Sequence, residues 1–132
     1  MIVGVADTHA AIWYLSGSSR LSPDARLFID AATDDGEEIG ISSISLVEIV
    51  YLIEKGKIPI ESLSVLAAEL LSTGVFVEVV LDLKIARALS RVDITQVPDM
   101  PDRIIAATAV HLNVPIISRD AKIRLSGINT IW

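Results

Sequence analysis

The chain has 132 residues, enough for one domain with a core of its own, and 52% of them are hydrophobic. Its net charge of −6 argues against the broad basic surface that supplies non-specific nucleic-acid affinity, although acids gathered around a divalent cation would reverse the local field. With no cysteine, disulfides, thiolate chemistry and zinc–sulfur sites are excluded together, and a reduced, cytoplasmic setting is the expectation.

Met1 to Ala6 reads as a short buried strand ending at Asp7, and "HAAIWYL" after it has helical apolar spacing. Residues 17–22 form a loop, and Ser22 with Pro23 marks the start of the next helix, "SPDARLFIDAA". "EEIGISS" is a second short strand. A helix over residues 45–55 stops near Gly56, and a further helix over 60–73 stops at Gly74. "VFVEVV" is a strand, Asp82 caps the helix "LKIARAL", and a loop over 93–98 leads into "DMPDRIIAATAV". Asn113 suits a helix C-cap before the strand "VPIIS"; Asp120 opens one short turn, and "INTIW" closes as a last strand. No apolar run reaches the roughly 18 residues of a membrane span. The richest, "ISLVEIVYLI", carries Glu48. No basic segment followed by an apolar one opens the chain, so neither a signal peptide nor a membrane partner is expected.

Strands alternate with helices from end to end, without repeat or linker. That pattern predicts one α/β domain over residues 1–132, with a largely parallel sheet of about four to five strands covered by helices on both faces.

Parallel strands joined by right-handed crossovers all end at one edge, outside which ligands bind. Asp7 follows the first strand and Asp120 the strand 114–118. Glu48 is expected in the first turn of the helix after the second strand, and Asp102 in the first turn of the helix that leads to 114–118. Each has a purely local explanation. Asp7 can cap a helix, Ser45-x-x-Glu48 matches a capping box, Asp102 suits a helix dipole, and Asp120 can make an Asx turn. Asp99 and Pro101 are likewise good helix-start residues. Four carboxylates on one rim nevertheless repel one another unless a cation lies among them, and an all-oxygen set suits Mg²⁺ or Mn²⁺.

"VADTHAAIWYLSGSSRLSPDAR", "SSISLVEIVYLIEKGKI", "DMPDRIIAATA", "IISRDAKI" and the closing "IW" resemble the PIN-domain ribonucleases, and most of all the toxins of type II VapBC toxin–antitoxin pairs. The resemblance runs over nearly the whole chain in the right order. It implies a metal-dependent endoribonuclease whose catalytic, metal-holding acids are Asp7, Glu48, Asp102 and Asp120, with Asp99, Ser118, Thr8 and Arg103 in support. It further implies a VapB-like antitoxin, RNA as substrate and a homodimer. Two departures concern substrate preference more than chemistry: the proline of the D-P-x-D-R motif is shifted to Pro101, and "SLVE" stands for the commoner "SLWE". A PIN-like module without catalysis is the alternative, against which the intact acids argue. A Mg²⁺-dependent phosphohydrolase would need D-x-D after the first strand, where the third residue is His9.

Other residues read more plainly. His9 and His111 are too few and too scattered for a metal-free two-histidine mechanism. His111 falls on the stripe of Ile104 and Thr108, predicting partial burial, and Arg103 is placed to pair with Asp99 at i,i+4. Trp13 and Tyr14 fit core or interface packing. Arg20, Arg119, Lys122 and Arg124 read as solvated rim charges that could guide RNA.

Overall fold

The structure is a computed structural model that describes residues 1–132. Five strands, β1 (Ile2–Ala6), β2 (Glu38–Ser42), β3 (Phe76–Val79), β4 (Ile116–Ile117) and β5 (Thr130–Ile131), form one sheet in the order β3-β2-β1-β4-β5. Every pairing is parallel, with Ala6 opposite Ile41 on one side and Ile117 on the other. The α/β reading therefore holds, and the sheet is wholly rather than largely parallel. The helices are α1 (Thr8–Leu15), α2 (Pro23–Asp34), α3 (Ser43–Glu54), α4 (Ser62–Leu71), α5 (Leu83–Ala88), α6 (Met100–Leu112) and α7 (Ala121–Leu125), with a 3₁₀ turn over Leu89–Arg91 extending α5. None is long and apolar enough to cross a membrane.

The period-2 alternation of the strands splits the core in two. Ala6, Ile39, Ile41 and Ile117 point to one face, where Ala25, Ile29 and Ala32 of α2 and Leu66 of α4 cover them. Val5 and Ile116 point to the other, against Ile105, Ala106 and Ala109 of α6, Ile85 of α5 and Ile123 of α7. Gly4 in β1 permits one close approach: a Cβ there would come within 2.9 Å of the Phe28 ring on α2.

Local capping chemistry sets most helix starts. Ser22 accepts from the Ala25 N–H at 3.1 Å with Pro23 in the first turn, and Asp82 accepts from Ile85 at 3.0 Å. Asn113 ends α6 in the left-handed region, at φ 55°. Three expectations need correction. The helix after β2 begins at Ser43, because Ser42 is the cap and accepts from the Ile44 N–H. Ser45 therefore caps nothing, and Glu48 stands in the second turn. His111 is exposed, since the buried stretch of α6 runs from Ile104 to Thr108 and Ala109 and the last turn emerges into solvent. Arg103 makes no ion pair with Asp99. Its Nε donates to the Val92 carbonyl at 3.0 Å and its Nη2 to the Leu89 carbonyl at 2.9 Å, tying α6 to the end of the 3₁₀ turn.

Candidate active site

The carboxyl ends of β1 and β4 and the starts of α1, α6 and α7 meet at one rim of the sheet. A cleft of about 270 Å³ opens there, lined by Asp7, Thr8, His9, Trp13, Arg20, Glu48, Asp102, Arg119 and Asp120. The four acids expected at this edge thus share one cleft. Asp99 does not line it; it borders the neighbouring groove with Ile44, Val47, Tyr51 and Met100.

Capping and cleft-lining coexist in these residues. Asp7 is the N-cap of α1, its Oδ1 accepting from the Ala10 N–H at 2.8 Å. Asp120 caps α7 by accepting from Ile123 at 3.0 Å. Asp99 caps α6 by accepting from the Asp102 N–H at 3.4 Å, which fixes the turn that presents Asp102. Each cap orients a carboxylate while using only part of its accepting capacity.

Buried hydroxyls support two of the acids, one through its backbone and one through its carboxylate. Ser118, fully buried just after β4, accepts from the Asp120 N–H at 3.0 Å. Thr8, buried at the start of α1, hydrogen-bonds Glu48 Oε1 and lies 2.9 Å from the fully buried Ser45 hydroxyl. A carboxylate has no proton to give, so the Thr8 proton goes to Glu48 and Thr8 accepts from Ser45. Ser45 is thus linked to Glu48 through Thr8 rather than through a capping box.

The electrostatics are those of crowded anions. Burial raises the Asp7 carboxyl above its ordinary range, against the lowering by Ser118 and the Ala10 N–H. Asp102 is pushed up to about 7, by burial first and then by Asp120, Asp99, Glu48 and Asp7. No hydrogen bond reaches its carboxylate to offset this. The side chains stand apart enough that no three His, Asp or Glu groups form a closed metal-holding set. The donor chemistry still fits a hard cation: four carboxylates with no sulfur ligand.

The walls were less legible in the sequence than the acids. Trp13 is 7% exposed and its ring lies 5.4 Å from that of His9, one turn earlier on α1. The i,i+4 spacing of His9 and Trp13 is the signal that places both beside Asp7. Tyr14 packs edge-on to Phe76 in the core, as its apolar stripe suggested.

A model of the PIN domain matches residues 5–126. Among solved structures, the chain is similar to a chain of VapBC2 from Rickettsia felis bound to a DNA fragment from their promoter, with a TM-score of 0.70 and 16% identity over 98% of this chain and 97% of that one. It is similar to a chain of DNA-bound VapBC from Salmonella typhimurium, with a TM-score of 0.70 and 20% identity over 98% and 97%. A toxin–antitoxin complex from Klebsiella pneumoniae gives a TM-score of 0.66 and 23% identity over 98% and 96%. At such identities these likenesses establish the fold. No curated protein matches the chain.

Proposed function

The chain belongs to the PIN-domain family, and from that premise we propose that it is a metal-dependent endoribonuclease acting as the toxin of a toxin–antitoxin pair. The observation that carries the reading is the convergence of Asp7, Glu48, Asp102 and Asp120 from four segments on one cleft, where burial first and the neighbouring carboxylates second raise Asp102 to about 7. Structural neighbours that are toxin–antitoxin complexes support the second half of it.

These four carboxylates would hold Mg²⁺ or Mn²⁺. A bound ion of that kind supplies a lower pKa for water and neutralises charge that develops on a phosphate in the transition state. The chain's own residues do the positioning. The Ala10 N–H fixes Asp7, Ser118 and the cap of α7 fix Asp120, and the Ser45–Thr8 pair fixes Glu48. Asp102, whose carboxylate accepts no hydrogen bond from the protein, would keep its oxygens available to the ion. With water rather than the 2′-hydroxyl as nucleophile, the RNA ends are 5′-phosphate and 3′-hydroxyl.

A VapB-like antitoxin is the proposed inhibitor in a cytoplasmic pair. The apolar groove between α1 and α4, lined by Ile12, Leu15, Val65 and Leu66, offers surface for it, and the acidic cleft offers a seat for one of its basic side chains. A homodimer is part of the same proposal, consistent with the exposure of Val47 and Tyr51 on α3 beside Met100.

The test is RNA cleavage by the purified chain, with and without its neighbouring gene product. Cutting in Mn²⁺ that EDTA abolishes, that leaves 5′-phosphate ends and that the neighbour suppresses is the expected result. Undiminished cutting in EDTA, or 2′,3′-cyclic ends, would refute the metal-dependent reading. A neighbour that neither binds nor inhibits would refute the toxin.

A further inference from the structure

Two cations, Arg20 and Arg119, stand in a cleft walled by four carboxylates, yet neither is in an ion pair. The ion pairs of this chain join the Met1 ammonium to Glu37 and Glu38, at the opposite edge of the sheet. Arg119 is held by a ring instead: its guanidinium carbon lies 4.7 Å from the centroid of Trp13. Trp13 is itself fixed, 7% exposed, with the Trp132 ring 6.0 Å away and the His9 ring 5.4 Å away. The Arg119 side chain makes no hydrogen bond, so its five N–H donors are unspent, and a ring face accepts none of them strongly. Stacking on an immobile indole costs the guanidinium its freedom before any ligand arrives, while leaving its charge and its planar fork available.

The position is as telling as the state. Arg119 leaves the end of β4 between buried Ser118 and the α7 cap Asp120, so the backbone that orients a cleft carboxylate also orients this cation. A polyanion entering a cleft of carboxylates, on a chain of net charge −6, needs a counter-charge at the entrance. Lys122 and Arg124, on the same short helix, do not reach the cleft lining.

We propose that Arg119 binds an RNA backbone phosphate next to the phosphodiester lying over the carboxylates, and that Trp13 is the positioning residue that holds it ready. The proposal rests on the ribonuclease reading and assigns the entrance of that site.

Steady-state cleavage of a single-stranded RNA oligonucleotide in Mn²⁺ tests it, over a series of salt concentrations. Arg119→Ala, at an exposed position, should raise KM about tenfold with kcat within about threefold of the parent, as expected for loss of one charge-assisted contact to substrate. The dependence of log(kcat/KM) on log[salt] should become shallower by about 0.7, the loss of one phosphate contact on a single strand. Arg119→Lys should restore the salt slope but only part of the KM, because the ammonium keeps the charge and loses the planar stack. Trp13→Phe should raise KM with the slope unchanged. Arg124→Ala should behave as the parent. Parental KM and salt slope in Arg119→Ala, or an equal loss in Arg124→Ala, would overturn the proposal while the parent's cleavage leaves the ribonuclease reading standing. A parent that cuts no RNA would overturn both.

Discussion

Thr8 and Glu48, forty residues apart, are joined by a hydrogen bond from the threonine hydroxyl to the carboxylate, with the Ser45 hydroxyl behind it. The bond links the first residue of α1 to the second turn of α3, so two segments that follow different strands are locked at one rim. Thr8→Val keeps the shape, strands the buried Ser45 hydroxyl and frees Glu48. We expect a stability loss of about 1–3 kcal/mol for the unpaired buried hydroxyl. If Glu48 holds the proposed cation, RNA cleavage should fall about 10- to 100-fold for loss of the partner that orients it. Thr8→Ser should recover most of both. Thermal melts and turnover of the two variants check this, and equal activity in Thr8→Val and the parent would show that Glu48 needs no such support.

Asp102 separates capping from chemistry. Asp102→Asn preserves size, and the cap of α6 comes from Asp99 and so survives. Cleavage should drop by orders of magnitude. The metal-free melting temperature should hold or rise, because one of five mutually repelling carboxylates has lost its charge. Asp99→Asn is the control; Asn also caps well, and Asp99 lies outside the cleft lining, so activity should suffer less. Turnover and melts of both variants, side by side, decide the matter.

The raised Asp102 carboxyl makes a signed statement about pH. Its folded pKa of about 7 lies above the ordinary carboxylate value of 3.8, so the folded state binds the extra proton between those limits. The contribution is fully favourable below about pH 4 and is lost as pH rises through about 7. The metal-free melting temperature should therefore decline between pH 5 and pH 8, and the decline should flatten in Asp102→Asn. Saturating Mn²⁺ should reverse it, since a cation that binds only the folded state stabilises it by mass action. Melting curves across that range, with and without Mn²⁺, give the slope directly.

Arg103 is a structural tie. Its two bonds to the Leu89 and Val92 carbonyls hold the start of α6, and with it Asp102, against the 3₁₀ turn. Arg103→Met should cost about 2 kcal/mol or more in chemical denaturation, the range for hydrogen bonds from a charged donor. Arg103→Lys should recover only part, because one ammonium cannot span both carbonyls with the geometry of a fork. A variant as stable as the parent would return Arg103 to the role of a surface charge.

The element order, the parallel sheet and the shared edge of the four acids were legible because they follow from periodicity and handedness, which act on whole segments. What failed was local choice among similar residues. Ser42, Ser43 and Ser45 all suit a helix start. The decision for Ser42 comes from the pairing of β2 with β3, which carries the strand to Ser42 opposite Val79. The i,i+4 rule misled for Arg103 because Asp99 is a cap outside the helix, and its carboxylate turns back to the Asp102 N–H. The Thr8–Glu48 bond and the Trp13–Arg119 stack are contacts between segments far apart in sequence, for which one sequence carries no pairing signal.

A divalent cation held among Asp7, Glu48, Asp102 and Asp120 can be counted directly. Mn²⁺ can be titrated into the parent and into Asp102→Asn at pH 7.5, with the free ion read by its electron paramagnetic resonance signal. Saturable binding by the parent is expected, weakened in Asp102→Asn by more than about tenfold, the least that disturbing even an outer partner of a metal ligand costs. Equal binding by the two chains, or none by the parent, would contradict a cation site at these carboxylates.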